Sequence, residues 1–222
     1  MSFSEGLLDG NWLWLMHLGY ALALLLALWK APWKVLAENR RLQHLLFGAT
    51  AGLMLMWSMR AGISPGLSIH FLGITALTLM FGWDLAILSA SLALLGMTLI
   101  GKESWDGFTA NGICSIVVPV MVSYGILRYV EWKLPKNFFI YLFLCAFVGA
   151  GIASASAGLS SALLLWLDGV YSWAKIEHEY IRYLPLIMFP EGLMNGIVMT
   201  GMMVYLPDWV RTFDAKVYID EQ

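Results

Sequence analysis

The sequence predicts an all-α, polytopic helical membrane protein of about seven transmembrane helices, with its N-terminus outside. It forms one integral membrane domain over residues 1–222. Three observations carry this. Sixty per cent of residues are apolar, only 13% are charged, and mean hydropathy is +0.73; a soluble domain carries about a quarter charged residues. Eleven Trp and nine Tyr suit a chain with two lipid–water interfaces to line. The Lys and Arg residues also fall unevenly between alternate loops. The net charge of −2 gives no nucleic-acid footprint. Cys114 and Cys145 both lie in apolar runs, where packing is expected rather than a disulfide or a thiolate metal site.

Residues 1–11 carry Glu5 and Asp9 but no Lys or Arg, unlike the positively charged start of a cleaved signal. Residues 12–29 are about long enough to span. Lys30, Lys34, Arg40 and Arg41 follow at once, so that loop is cytoplasmic by the positive-inside rule. His17, inside the first span, is expected to hydrogen-bond to a neighbouring helix, and His44 to be solvated. The second span covers residues 42–59 and ends at Arg60. In the stretch that follows, Pro65 and Gly66 stop the preceding structure, and Ser68 can cap a helix starting at about Ile69. That places His70 in a first helical turn close to a membrane surface. An ionisable, metal-ligating side chain at that depth is a functional-site hypothesis. A histidine satisfied by a neighbouring carbonyl fits the spacing equally well.

Residues 67–100 are too long for one ordinary span, and Gly82-Trp83-Asp84 interrupts them. Two short helices joined by a tight turn fit best. With two spans, the inner segments hold Lys30, Lys34, Arg40, Arg41, Arg128, Lys133, Lys136, Arg211 and Lys216, against Arg60, Lys102, Lys175 and Arg182 outside: nine against four. With one span the split becomes seven against six, which is no bias. Residues 101–107 are then an outer loop. Residues 108–129 form a span with Pro119 inside it, accommodated by a kink. The sixth span, residues 138–158, ends in ten nearly all small residues that let backbones approach closely, so this helix is expected to be buried among others. Residues 159–170 are expected to form a short re-entrant or interfacial helix, and residues 171–183 an outer loop. The seventh span, residues 184–206, contains Pro185, Pro190, Glu191 and Asn195. A carboxylate and an amide at that depth serve transport or tie helices together.

This topology turns the N-terminal tail, His70, residues 102–106 and residues 168–179 outward. An α-amine, two histidines and several carboxylates suit a divalent transition metal. Glu103, Asp106 and Glu177 are better explained as solvated loop charges. A helix dipole disfavours a cation at its N-terminus by up to ~1 kcal/mol, which a direct metal–nitrogen bond outweighs, since structural metal sites bind with ~10 kcal/mol or more.

The opening Met1-Ser2-Phe3-Ser4-Glu5-Gly6-Leu7-Leu8 resembles the Met-His-Ile-x-[Glu/Asp]-Gly-x-Leu start of the substrate-binding permeases of energy-coupling factor transporters for cobalt and nickel, the CbiM and NikM group. Ser68-Ile69-His70-Phe71-Leu72-Gly73 is similar to their Gly-His-Leu-Leu-Gly segment. Ala110-Asn111-Gly112-Ile113 and Pro190-Glu191-Gly192-Leu193-Met194-Asn195-Gly196 look like further family positions. The resemblance covers nearly the whole chain in order. It implies a metal held by the N-terminal amine and following backbone nitrogen, by a histidine at position two and by the histidine of the later segment. Here His70 keeps its role and Met1 supplies the amine if it is retained. Ser2 breaks the pattern, because a hydroxyl is a far poorer ligand for cobalt or nickel than an imidazole. A small residue at position two also favours removal of Met1, which moves the amine onto Ser2. Either His178 or Glu5 replaces the missing ligand, or the substrate differs, or the chain no longer binds metal. Asn111, Glu191 and Asn195 are the structural or transport candidates.

Gly101-Lys102-Glu103 lacks the glycine spacing and Ser/Thr of a phosphate loop, so any ATP is expected to be hydrolysed by a partner. No nucleophile–base pair or paired His-plus-carboxylate motif lies inside a span, so the chain is not expected to be an enzyme. The resemblance implies a multi-pass permease in the cell inner membrane that carries Co2+ or Ni2+ as substrate and no permanent cofactor. Its implied partners are membrane lipid, ATP-binding cassette ATPase subunits and a transmembrane coupling subunit. The alternatives are a non-transporting membrane scaffold or assembly factor that kept the fold, or a permease for another substrate. The charge split carries its own test. A reporter active only in the periplasm, fused after Gln222, should stay silent, and activity there would reverse every side assignment above.

Overall fold

In lipid every backbone N–H and C=O must be satisfied within the chain, and apolar runs do this by forming helices. The computed structural model describes residues 3, 6–8, 10–59, 61–62 and 68–220. Helix α1 is Gly10–Lys30, α2 is Trp33–Glu38 and α3 is Arg40–Ser58. The strands β1 (Ala61–Gly62) and β2 (Ser68–Ile69) pair antiparallel, and α4 is Ile74–Leu99. Helix α5 (Phe108–Gly112) continues through a π-helical turn, Ile113–Val117, into α6 (Val118–Lys133). Pro119 has no N–H to donate, and the wide turn just before it absorbs the expected kink. Helix α7 (Phe138–Ile140), a π-helical stretch (Tyr141–Val148) and α8 (Gly149–Leu167) form one continuous rod. Helices α9 (Trp173–Glu179) and α10 (Leu184–Tyr205) complete the described helical bundle. Among the described residues, five helices are long and apolar enough to cross a membrane.

Helix α4 decides the topology. A straight 26-residue helix would be about 39 Å long. Yet the glycine that precedes it and a glycine near its end meet the same stretch of α3. A Cβ on Gly73 would lie 3.2 Å from Leu53, and one on Gly96 would lie 3.8 Å from Cγ of Met54. Between them Met80, Phe81 and Leu85 share a cavity of about 400 Å³ with Leu42 and Leu45, at the opposite end of α3. The chain therefore descends over residues 74–81, turns at Gly82 and climbs over residues 83–99. Gly82 has φ 83° and ψ 165°, a region open essentially to glycine alone. The expected pair of short helices joined at Gly82-Trp83-Asp84 is present. Counting both arms, the described residues run between the two ends of the bundle seven times. One end gathers Phe3, residues 101–107 and residues 168–183. The other gathers residues 31–39, Gly82, residues 134–137 and the segment after α10.

That last segment is a strap rather than a solvated tail. The Arg211 amide donates to Met80 O (2.9 Å), and its guanidinium donates to Phe81 O (2.8 Å) and Asp84 Oδ1 (2.6 Å). Thr212 Oγ1 donates to Leu79 O (2.6 Å). The strap thus caps the orphan carbonyls at the lower end of residues 74–81 and neutralises Asp84, which is 3% exposed. Phe213 and Tyr218 then pack against Tyr141. Burial, with Glu131 adding to it, pushes the Tyr218 phenol up to about 12, so it stays neutral and suits this aromatic cluster.

Four expectations change. The sixth span does not stop near residue 158, and residues 159–167 continue α8 without a re-entrant break. Small residues set this helix's packing: a Cβ on Gly151 would lie 3.1 Å from Met188 O, and one on Gly192 would lie 2.6 Å from Phe147 O. Residues 171–183 contain α9 and the 3-10 turn Ile181–Tyr183, with Ser172 accepting from Lys175 N as an N-cap. The helix expected from Ile69 starts at Ile74, because Ser68 and Ile69 pair with β1 and Gly73 sits at φ 66°. His70 therefore lies outside any helical turn, and the dipole argument against a cation there no longer applies.

Arg211→Ala leaves the Asp84 carboxylate buried without its cation and removes the side-chain donor to Phe81 O, while the backbone bond to Met80 O and the Thr212 bond to Leu79 O remain. A hydrogen bond to a charged group contributes about 1.5–3 kcal/mol, so a loss of about 2–3 kcal/mol is expected, read as a lower unfolding midpoint in detergent. The double variant Arg211→Ala, Asp84→Asn should recover part of it.

Candidate functional site

Helix α10 carries two almost completely buried polar side chains into the bundle. Pro190 interrupts its hydrogen-bond ladder, and the next residue, Glu191, is 1% exposed. Glu191 Oε2 accepts from Leu72 N and Oε1 from Gly73 N, both at 2.8 Å. One turn further, Asn195 is fully buried. Its Oδ1 accepts from Ala76 N (2.8 Å), and its Nδ2 donates to Glu191 Oε1 (2.9 Å) and to Glu191 O (2.7 Å). The amides of Gly73 and Ala76 belong to the orphan donors at the start of residues 74–81, and that of Leu72 lies just before them. A carboxylate at a helix N-terminus is favoured by the dipole as well.

His70 lies two residues before Leu72. It is half-buried, its Nδ1 is 3.1 Å from Phe71 O, and its ring leans on Trp57 at 5.9 Å between centroids. Trp57 Nε1 donates to Leu72 O (3.1 Å), so the same short segment is held from α3 on one side and α10 on the other.

The N-terminal segment is threaded into the same end of the bundle. Phe3 is fully buried among Ala110, Cys114, Leu165, Ile176, Tyr180 and Leu184. Its N–H donates to Asn111 Oδ1 (2.9 Å), and its carbonyl accepts from Ser104 Oγ (2.9 Å). Asn111, 2% exposed, also donates from Nδ2 to Glu103 Oε2 (3.3 Å). Glu103 is thus part of this network rather than simply a solvated loop charge. Gly107 leaves room for Phe3, whose carbonyl oxygen and Cβ occupy the space a Cβ there would need.

Met1, Ser2 and Glu5 lie outside the described residues. His178 is exposed on α9, with Nδ1 3.4 Å from Nη1 of Arg182, which also pairs with Glu177 at 3.3 Å. Among the described residues no three His, Cys, Asp or Glu side chains gather closely enough to hold a metal; His70 lies two residues before Leu72, whose amide Glu191 holds. His17 Nδ1 lies 2.6 Å from Leu13 O and 3.1 Å from Thr109 Oγ1 on α5, the expected inter-helix role. Cys114 and Cys145 are buried and unpaired. Sequence reasoning missed Ser104 and Arg211. A polar loop serine carries no signal, whereas Asp84 inside an apolar run does imply a cation partner.

A helical bundle with five described helices long and apolar enough to cross a membrane, and with buried polar side chains holding Phe3 and residues 72–73, defines a polytopic integral membrane protein. Residues 3–209 match the CbiM family, described as the cobalt uptake substrate-specific transmembrane region, and the chain belongs to that family. It is a transmembrane component of transition-metal uptake. Its fold is similar to two crystal structures, one of a truncated transition metal transporter and one of a transition metal transporter, each at TM-score 0.77 and 20% identity. Both cover 91% of this chain, and the matches take in 98% and 92% of those chains. No curated protein matches it significantly in sequence.

The fit around Gly107 is directly testable. In Gly107→Ala the new methyl group collides with Phe3, and overpacking of this kind costs about 1–3 kcal/mol. The N-terminal segment should become sensitive to protease while the helices stay protected.

Proposed function

We propose that this chain is the substrate-binding permease of an ATP-driven cobalt or nickel uptake transporter in the cell inner membrane. The observation that carries this is the burial of Phe3 at the end of the bundle that also bears His70. On this reading an N-terminal amine and the imidazole of His70 supply the donors from two separate segments of the chain. Both are nitrogen donors that suit Co2+ and Ni2+. The charge asymmetry puts that end outside. Residues 30–41 and 128–136, at the other end, are the proposed docking segments for ATPase subunits and a transmembrane coupling subunit. The purified chain alone is accordingly expected to turn over no ATP.

Ser2 favours a second reading. Without an imidazole at position two, the chain keeps the fold but has lost one metal ligand, as a scaffold or a permease for another substrate would. Calorimetric titration with nickel and cobalt separates the two. Under the first reading the wild type binds and His70→Ala abolishes binding. Ser2→His should then tighten it about tenfold, equivalent to ~1.4 kcal/mol. Binding gained only in Ser2→His favours the second reading, and wild-type binding indifferent to His70→Ala removes His70 from the site.

A further inference from the structure

We infer that Asn111 and Glu191 are positioning residues for the metal site, each fixing the backbone beside one of its two donors. The inference rests on the metal-binding reading above. Neither side chain needs to touch the metal. Each comes from a helix that carries no proposed donor: Asn111 from α5 and Glu191 from α10. Each is almost completely buried and spends its oxygens on backbone amides.

The two pins are built alike. Asn111 Oδ1 takes the Phe3 amide at 2.9 Å, one peptide unit from Ser2, and Ser104 Oγ holds the carbonyl of the same residue at 2.9 Å. Both backbone polar groups of Phe3 are thus occupied, which fixes the position from which residues 1 and 2 depart. Glu191 takes the consecutive amides of Leu72 and Gly73, both at 2.8 Å, and so fixes the backbone two residues after His70. Asn195 locks the Glu191 carboxylate by donating to Oε1 and holds Ala76 N with its own oxygen. Below this, Thr75 and Ser123 hydroxyls meet at 2.7 Å and tie the same short helix to α6.

A donor on a loose segment loses conformational freedom when metal binds, and that loss is subtracted from affinity. Here Phe3, Leu72 and Gly73 are held before metal arrives, because side chains already present in the protein bond their backbone. Removing such outer partners typically lowers metal affinity 10–100-fold. The geometry also separates the roles of the two Glu191 oxygens. Gln at 191 keeps one acceptor and turns an N–H₂ toward the other amide, so it releases one of the two pinned amides. Asp is one methylene short and cannot reach both.

The test uses full-length protein in detergent, with cobalt and nickel titrations paired with amide hydrogen exchange. Metal-free wild type should protect the amides of Phe3, Leu72 and Gly73. Glu191→Gln and Glu191→Asp should raise exchange across residues 70–76 and weaken binding about tenfold or more, while exchange in α6 and α8 stays as in wild type. Asn111→Leu should do the same at Phe3, and Asn111→Asp paired with Glu103→Gln, which keeps the acceptor oxygen and the hydrogen bond between positions 111 and 103 without two facing carboxylates, should recover most of the protection there. Unprotected Leu72 and Gly73 amides in the wild type overturn the inference without any variant. If the wild type binds metal through His70 but Glu191→Gln and Asn111→Leu bind equally well, the positioning role falls and the metal reading stands. If the wild type binds neither metal, the metal reading itself falls, and this role with it.

Discussion

The carboxylate of Glu191 on the amides of Leu72 and Gly73 is the contact around which the bundle is arranged. Taking a carboxylate out of water costs several kcal/mol unless donors surround it, and an unpaired backbone amide in lipid costs similarly. Each removes the other's penalty. The pairing also allows a helix to begin inside the bundle. Residues 72–76 are buried, so the amides at the start of this helix have no water to turn to. Glu191 and Asn195 supply the acceptors that water or a capping side chain supplies elsewhere.

The lower end of the same short helix poses the mirror problem, and the strap after α10 solves it. Its last carbonyls, Leu79, Met80 and Phe81, take the Thr212 hydroxyl, the Arg211 amide and the Arg211 guanidinium. One eight-residue helix is therefore held at both ends by the chain that flanks and forms α10. Residues 74–81 cannot shift along their axis without breaking bonds at residue 191 or residue 211. The hairpin's second arm gains from this too, since Asp84 at its start shares the Arg211 cation.

Elsewhere the packing follows ordinary membrane rules. Small residues on α8 and α10 let these helices approach until Gly192 lies beneath the Phe147 carbonyl. Hydroxyl pairs such as Thr50 with Ser89 and Tyr20 with Ser91, both at 2.7 Å, add direction between helices where apolar packing has none. Helix α1 exposes Trp14, Leu18, Leu22 and Leu25 on its lipid-facing side, as a peripheral helix in hydrocarbon should.

Much of this was legible in the residues themselves. Composition sets the class, and the helix pair around Gly82 follows from run length and loop charge, both of which lipid thickness and the positive-inside rule constrain directly. The order of the motifs around Asn111, His70 and Glu191 carries the family. Other features depended on partners far along the chain. Where residues 68–73 stop being extended is decided by Glu191, 118 and 119 residues away, and local capping preference at Ser68 pointed to the wrong start. Nothing in Ser104 or Arg211 alone announces that one grips Phe3 and the other closes the hairpin. Helices form from local periodicity and lipid, which a single sequence displays. The satisfaction of buried amides and carbonyls at broken helix ends is settled only when distant segments meet, so it belongs to the tertiary structure.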